Sequence, residues 1–143
     1  PASVWATKQL PIEKWVDLSE KQDHIIYLLG GPNDRTLCET IKTKSPARIQ
    51  NVAGELSLME SVALMKGAVR NYVNDSGPLH FASAVNAPVT AYFCSTVTDF
   101  GFGPLSDDSE VNEVTGLACR PCGLHGKKEC PEGHFKCGKE MVV

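Results

Sequence analysis

Short apolar runs alternate with amphipathic segments from the amino terminus to Phe93. Nearly continuous apolar runs of four to eight residues are typical of strands that are covered on both faces of a sheet. The run at residues 68–74 contains Arg70 and Asn71, which make it more polar than a central buried strand should be. The four predicted strands are residues 24–29, 48–53, 68–74 and 89–93.

Apolar residues spaced three to four apart predict helices between these strands. The clearest helix has a capping box, Ser57 with Glu60, and is followed by Gly67. The predicted helices are residues 11–22, a helix capped by Asn33 or Asp34, residues 57–66, and residues 77–85. From Cys94 onward Gly, Pro, Ser and Asp dominate, so we expect loops there. Alternating strands and helices predict an α/β fold: a mostly parallel sheet with helices on both faces, and ligands beyond the carboxyl ends of its strands.

Composition and charge exclude some classes of function but do not identify one. With 143 residues, 42% of them hydrophobic, the chain suits one domain, and its net charge of −3 argues against a nucleic-acid partner. No apolar run approaches the roughly 20 residues that span a bilayer, and the amino terminus lacks a basic-then-apolar signal. We therefore expect a cytoplasmic domain without a transmembrane segment.

Residues 74–80, NDSGPLH, are the strongest candidate binding segment. The first amides of a helix lack partners and lie at the positive end of its dipole, so they can hold a phosphate. Gly77 would let the anion approach, Ser76 would add a hydroxyl donor, and His80 could reach the same anion. Asp75 would repel phosphate, so it more plausibly fixes the turn or accepts a sugar hydroxyl. A capped helix without any ligand is the alternative interpretation.

Two other predicted strand-to-helix turns carry candidate groups. Lys8 could neutralise a diphosphate, with Thr7 as a hydroxyl donor, although a lone lysine is more often simply solvated. Asp34 could accept hydrogen bonds from ribose hydroxyls, or could merely cap a helix. Gly30 and Gly31 do not form a G-x-G-x-x-G fingerprint, so no nicotinamide cofactor is predicted.

Taken in order, four stretches resemble the carboxyl-terminal half of glycosyltransferase family 9, the bacterial ADP-heptose:lipopolysaccharide heptosyltransferases. The resemblance covers nearly the whole chain, and the NDSGPLH block is its most specific part. The stretches are PASVWATKQLPIEKW, YLLGGPNDR, NVAGELSLMESVALMKGA and NDSGPLHFASAVNAPVTAYF.

The resemblance implies a GT-B enzyme, in which residues 1–118 form the Rossmann-like, nucleotide-sugar-binding domain. It implies that Thr7, Lys8, residues 75–77 and His80 face the diphosphate and sugar of an ADP-sugar donor, and that Asp34 meets the ribose. The implied reaction is an inverting heptose transfer to a lipopolysaccharide core or related glycan. Lys8 would stabilise the leaving diphosphate electrostatically, so no metal cofactor is required.

Relative to that family, the acceptor domain with its general base is missing, and Pro1 falls where the first strand of this domain should end. We expect the chain alone to be inactive, and a missing amino-terminal domain or another segment to complete the sheet. The full-length protein could lie peripherally on the inner membrane, where it would meet a glycolipid acceptor.

Residues 119–143 form a cysteine-rich tail, in which only the first pair of cysteines has the spacing of zinc ligands. Zinc binding, disulfides and free thiols all remain open, and any zinc would be structural. The candidate ligands are Cys119, Cys122, Cys130 and Cys137. Cys38 and Cys94 lie in apolar segments and are predicted to be small buried hydrophobes.

Two other functions remain compatible with the sequence. A GT-B transferase that uses a different nucleotide sugar would need the same diphosphate contacts. A zinc-stabilised, Rossmann-like interaction module would bind no nucleotide at all.

Overall fold

Strands and helices alternate along most of the chain, and the computed structural model describes all residues, 1–143. The helices are α1 (Ile12–Glu20), α2 (Arg35–Lys44), α3 (Leu58–Lys66), α4 (Gly77–Ala84) and α5 (Lys136–Lys139). The strands are β1 (Ile26–Leu28), β2 (Ile49–Asn51), β3 (Asn71–Asn74), β4 (Val89–Phe93) and β5 (Ser109–Glu113). No helix has both the length and the apolar character needed to cross a bilayer.

All strand pairs are parallel, but they form two separate sheets. One sheet has the order β1-β2 and the other has the order β3-β4-β5. In the first sheet Tyr27 lies opposite Gln50, and in the second Val73 lies opposite Ala91. The mostly parallel α/β architecture predicted from the sequence is therefore confirmed.

A cavity of about 880 Å³ separates the two sheets, and residues of both β1 and β3 line it. Sixteen of its 28 lining residues are hydrophobic. This composition is more typical of the interior of a parallel sheet than of a solvent channel. Trp15 also lines the cavity; it is only 6% exposed, and its indole N–H has no hydrogen-bond acceptor. The cavity is referred to below as the intersheet slot.

Two apolar clusters hold the helices to the sheets. In the larger cluster the ring of Trp15 on α1 packs edge-on against Tyr92 on β4, with ring centroids 5.8 Å apart. Cys137 and Met141 from the carboxyl-terminal segment belong to this same cluster. The smaller cluster includes Leu79 on α4, which is completely buried.

The predicted elements up to Phe93 are confirmed in type and order. The capping box of α3 is present: Ser57 Oγ accepts from the Glu60 amide at 3.3 Å, and a Glu60 carboxylate oxygen accepts from the Ser57 amide at 2.8 Å. Gly67 follows the helix but has a φ of −87°, so no left-handed turn is needed there. Cys38 and Cys94 are fully buried, as predicted.

The expectation of loops throughout the region after Cys94 is wrong for two segments. Strand β5 pairs with β4 over its whole length, and α5 forms a short helix. β5 lies at the edge of its sheet and is exposed at four of five positions, so its sequence, SEVNE, carries no apolar pattern. Hydrophobic periodicity cannot predict an edge strand of this kind.

The polar residues that made the third strand doubtful are paired. Asn71 donates through its side chain to the carbonyls of Met65 and Pro88, at 2.9 and 3.0 Å. Arg70 forms an ion pair with Asp108 at 2.6 Å, which holds the loop before β5. A strand with these partners does not need a continuously apolar sequence.

Candidate functional site

The centre of the candidate site is an ion pair between two segments that lie far apart in sequence. Lys8 Nζ donates to Asp75 Oδ2 at 2.6 Å, and the two side chains are 15% and 6% exposed. The hydroxyl of Thr96 donates to the same oxygen, also at 2.6 Å. Asp75 therefore anchors Lys8 and Thr96, which both lie outside its own turn, and two of the three ammonium hydrogens remain for a ligand.

Next to this pair, the amino end of α4 presents free backbone donors. Ser76 is the extended residue before the helix, and its hydroxyl donates to the Asn74 carbonyl at 3.3 Å instead of capping the helix. The amides of Ser76 and Gly77 have no acceptor in the protein, and Pro78 has no N–H. Free amides at the positive end of a helix dipole favour an anion.

Asn74 explains why Lys8 meets Asp75. Its Oδ1 accepts from the Leu10 amide at 3.0 Å, and its Nδ2 donates to the carbonyls of Pro1 and Ala2 at 2.5 and 3.4 Å. One buried side chain at the carboxyl end of β3 thus holds both ends of the amino-terminal segment. Sequence reasoning missed this role, and its only signal was a polar residue ending a predicted strand.

Asp34 occupies the turn before α2, and its carboxylate accepts from the Gly31 amide at 2.8 Å. It therefore stabilises its own turn. Its side chain makes no capping hydrogen bond to α2, so the alternative interpretation, a helix cap, is not confirmed. Asp34 forms no hydrogen bond or ion pair with Lys8 or Asp75, and its role in binding ribose stays a prediction.

Thr7 and His80 have opposite exposures. Thr7 is 3% exposed, and its hydroxyl oxygen accepts from Ser95 Oγ at 3.0 Å and from the Lys127 amide at 2.8 Å. His80 is exposed on the first turn of α4, and its ring lies edge-on to Phe102 with centroids 6.3 Å apart. The roles of both in substrate binding stay predictions.

Arg120 is a structural residue that sequence reasoning also missed. It donates to the carbonyl of Cys94 at 2.7 Å and to that of Thr96 at 2.6 Å, and it pairs with Glu113 at 2.6 Å. These bonds fix the chain directly after β4, where Thr96 meets Asp75. No sequence pattern distinguishes Arg120 from a surface arginine.

The cysteines of the tail are not grouped as metal ligands in this structure. No three histidine, cysteine or acidic side chains are grouped so that they could hold a metal ion, and all six cysteines are free thiols. Cys137 is buried in the larger core cluster, and burial together with neighbouring thiols raises its pKa to about 11. Cys119 Sγ lies 3.9 Å from His134 Nε2, without further ligands converging on that pair. The zinc alternative is therefore not supported.

Parallel strands with helices between them, and polar groups gathered at their carboxyl ends, define a Rossmann-like α/β domain. The sequence profile of glycosyltransferase family 9 (heptosyltransferase) matches residues 1–135. The chain belongs to this family.

Individual relatives agree with that assignment. Lipooligosaccharide heptosyltransferase 2 of Haemophilus influenzae is 31% identical over 111 residues, which cover 73% of this chain and 32% of the relative. Lipopolysaccharide heptosyltransferase 2 of Escherichia coli is 28% identical over the same lengths. The chain thus spans about a third of these relatives.

Solved structures show the same fold. The structure of E. coli ADP-heptose lipopolysaccharide heptosyltransferase II is similar with a TM-score of 0.73 and 25% identity, covering 85% of this chain and 41% of that one. The E. coli heptosyltransferase WaaC with ADP gives a TM-score of 0.68 at 19% identity, covering 77% of this chain and 35% of that one. The fold is therefore that of one portion of the GT-B heptosyltransferases.

Proposed function

We propose that this chain is the donor-binding domain of an inverting glycosyltransferase, which transfers a heptose-like sugar from an ADP-sugar to a lipopolysaccharide core or related glycan. The observation that carries the proposal is the Lys8–Asp75 ion pair beside the free amides of Ser76 and Gly77. The structurally similar E. coli ADP-heptose lipopolysaccharide heptosyltransferase II carries the proposed donor in its own name.

Lys8 and the helix amides would act on the leaving group. As the sugar is transferred, negative charge develops on the departing diphosphate, and donors that are already oriented stabilise it without reorganising. Lys8 keeps two hydrogens free for that purpose while the third holds Asp75. Thr7, Asp34, Gly77 and His80 complete the proposed donor contacts.

The general base for the acceptor hydroxyl would come from outside residues 1–143, so the proposal assigns donor binding and not complete catalysis to this chain. The division into a nucleotide-sugar domain over 1–118 and a tail over 119–143 is part of the same proposal. So is a cytoplasmic enzyme that meets its glycolipid acceptor at the inner membrane.

Calorimetric titration of the chain with ADP and with UDP tests the proposal. We expect ADP to bind, and Lys8→Ala to weaken binding by about 10- to 100-fold, because a hydrogen bond to a charged group contributes about 1.5–3 kcal/mol. His80→Ala should also weaken binding. Lys44→Ala is a matched control, since that lysine is 53% exposed and only 3.8 Å from Glu13, away from the candidate site.

The titrations separate the alternatives. Equal affinity for ADP and UDP would favour a transferase that uses another nucleotide sugar. No binding of either nucleotide would favour an interaction module and would refute the proposal. Loss of affinity in Lys44→Ala as large as in Lys8→Ala would mean that the effect is only a change in net charge.

We further propose that an extended polypeptide segment, the one that leads into Pro1 in a longer protein, fills the intersheet slot as a parallel strand. Strands β1 and β3 each have one unpaired edge at the slot, and unpaired edges inside a fold are unfavourable. Trp15 lines the same slot, and its buried indole N–H has no acceptor. Pro1 itself lines the slot and is held by Asn74 at the carboxyl end of β3, where a parallel strand would end.

Extending the chain at Pro1 by five β-branched residues tests this second proposal, with a proline-interrupted extension of equal length as the control. A new strand should slow hydrogen exchange of the backbone amides in β1 and β3 and raise the urea midpoint. The proline-interrupted extension should do neither, because proline cannot donate to a ladder. Equal exchange rates in the two versions would contradict the proposal.

A further inference from the structure

The tail contacts the candidate site through two hydrogen bonds between Thr7 and Lys127. The Thr7 amide donates to the Lys127 carbonyl at 3.1 Å, and the Lys127 amide donates to the Thr7 hydroxyl at 2.8 Å. Ser95, the second residue after β4, donates to the same hydroxyl at 3.0 Å. The residue that precedes Lys8 is therefore fixed from two sides.

Gly126, next to Lys127, packs against the stem of Lys8. A Cβ built on Gly126 would lie 2.9 Å from Lys8 Cγ and 3.2 Å from Lys8 Cδ, closer than side chains normally approach. The φ of Gly126 is +79°, a left-handed conformation that favours glycine. The loop 123–128 thus leaves room for the lysine stem only because this residue has no side chain.

The loop is itself held firmly to the body of the fold. On its amino-terminal side, the Cys122 amide donates to the Ser95 carbonyl at 2.9 Å, and Arg120 binds the carbonyls that follow β4. On its carboxyl-terminal side, Cys137 and Met141 are buried in the larger core cluster. A loop anchored at both ends can orient a flexible side chain that packs against it.

We propose that the loop 123–128 positions Lys8 for the donor diphosphate, and that Gly126 is the positioning residue. Lys8 is then held along its stem by Gly126 and at its tip by Asp75, so the ammonium group does not have to be ordered when an anion binds. Orientation in advance lowers the cost of binding and improves electrostatic stabilisation. The role at the diphosphate rests on the proposed function, whereas the positioning of Lys8 does not.

The test compares Gly126→Ala with Gly133→Ala. Gly133 lies in the same tail with a φ of +69°, but nothing lies within 4 Å of a Cβ built there, so both variants carry similar backbone strain and only one displaces Lys8. The first readout is the rate of Lys8 acetylation by acetic anhydride, followed by peptide mass spectrometry without nucleotide. We expect a several-fold faster rate in Gly126→Ala and an unchanged rate in Gly133→Ala. Equal rates in both variants and the unsubstituted chain would overturn the proposal.

ADP affinity is the second readout, measured as a double-mutant cycle. Gly126→Ala should weaken ADP binding about tenfold in the unsubstituted chain and have no effect in a Lys8→Ala background, because no charged group is then left to misplace. Equal losses in both backgrounds would overturn the positioning role. Failure of every version to bind ADP, together with faster acetylation of Lys8, would refute the proposed function and leave the positioning intact.

Thr7→Val provides an independent variant in case Gly126→Ala does not fold. It keeps the shape of the side chain and removes the oxygen that accepts from Lys127 and Ser95. Faster acetylation of Lys8 in this variant supports the proposal, and an unchanged rate contradicts it.

Discussion

Replacing Arg120 by methionine should destabilise the chain severely. Methionine keeps an unbranched apolar stem but removes every donor, so the carbonyls of Cys94 and Thr96 and the carboxylate of Glu113 lose a partner. The Arg120 side chain is only 6% exposed, and Glu113 is 31% exposed. Cys94 and Thr96 are almost completely buried, and leaving a buried acceptor unpaired costs about 1–3 kcal/mol, so the two losses together are a large part of the stability of an ordinary domain.

Urea denaturation followed by tryptophan fluorescence measures this loss, since Trp15 lies against Tyr92 in the larger core cluster. Arg35→Met is the comparison: Arg35 pairs with Glu55 at 2.8 Å, both side chains are about half exposed, and Arg35 donates to one carbonyl only, that of Ala53 at 3.0 Å, so the loss should be about 1–2 kcal/mol. An unchanged denaturant slope would show that the difference lies in stability. If Arg120→Met and Arg35→Met lost equal free energies of unfolding, burial would not be what makes the Arg120 contacts stabilising.

Three further outcomes follow from buried groups. Thr96→Val should lower the free energy of unfolding by about 1.5–3 kcal/mol in a denaturant titration, because it removes a hydrogen bond to the charged Asp75. Thr43→Val, on an exposed helix face, is the control, and an equally small loss in both variants would contradict this prediction. Burial raises the pKa of Cys94 to about 12, so the stability due to its neutral thiol is complete below pH 9 and is lost as the pH rises toward 12. Cys94→Ala should therefore make the free energy of unfolding, measured by denaturation, fall less steeply between pH 9 and 12. An equally steep fall in the variant would count against this. Iodoacetamide at pH 8 should leave Cys38, Cys94 and Cys137 unmodified in the folded chain, as read by mass spectrometry, whereas rapid modification of Cys137 would mean that the tail is detached from the core.

Local patterns predict those parts of the fold whose causes are local. The bounds of β4, Val89–Phe93, follow from an apolar run between Pro88 and the polar residues after Cys94. The start of α3 follows from two side chains three residues apart that satisfy each other's backbone amides. The turn at residues 74–80 is recognisable because a polar segment and a helix signal follow a predicted strand directly.

Contacts between distant segments could not be predicted in the same way. Thr96 and Arg120 have unremarkable surroundings in the sequence, and their roles depend on which carbonyl or carboxylate the fold brings within about 3 Å. β5 escapes prediction because a polar edge strand is specified by pairing with β4 and not by its own apolar pattern. The sequence predicts the tail as a separate cysteine-rich segment, yet Cys137 and Met141 lie in a core shared with α1 and β4.

A carboxylate beside an anion-binding site repels the anion only while no cation or hydrogen-bond donor balances its charge. Asp75 Oδ2 accepts from both Lys8 and Thr96, so its charge is balanced in the unliganded protein. Without Asp75, the largely buried ammonium of Lys8 would lack a counter-charge until an anion bound, and burying an unpaired charge is costly. In the proposed function, the pair compensates the charge of Lys8 in its partly desolvated position, and the free amides of Ser76 and Gly77 would supply the net attraction for an incoming anion.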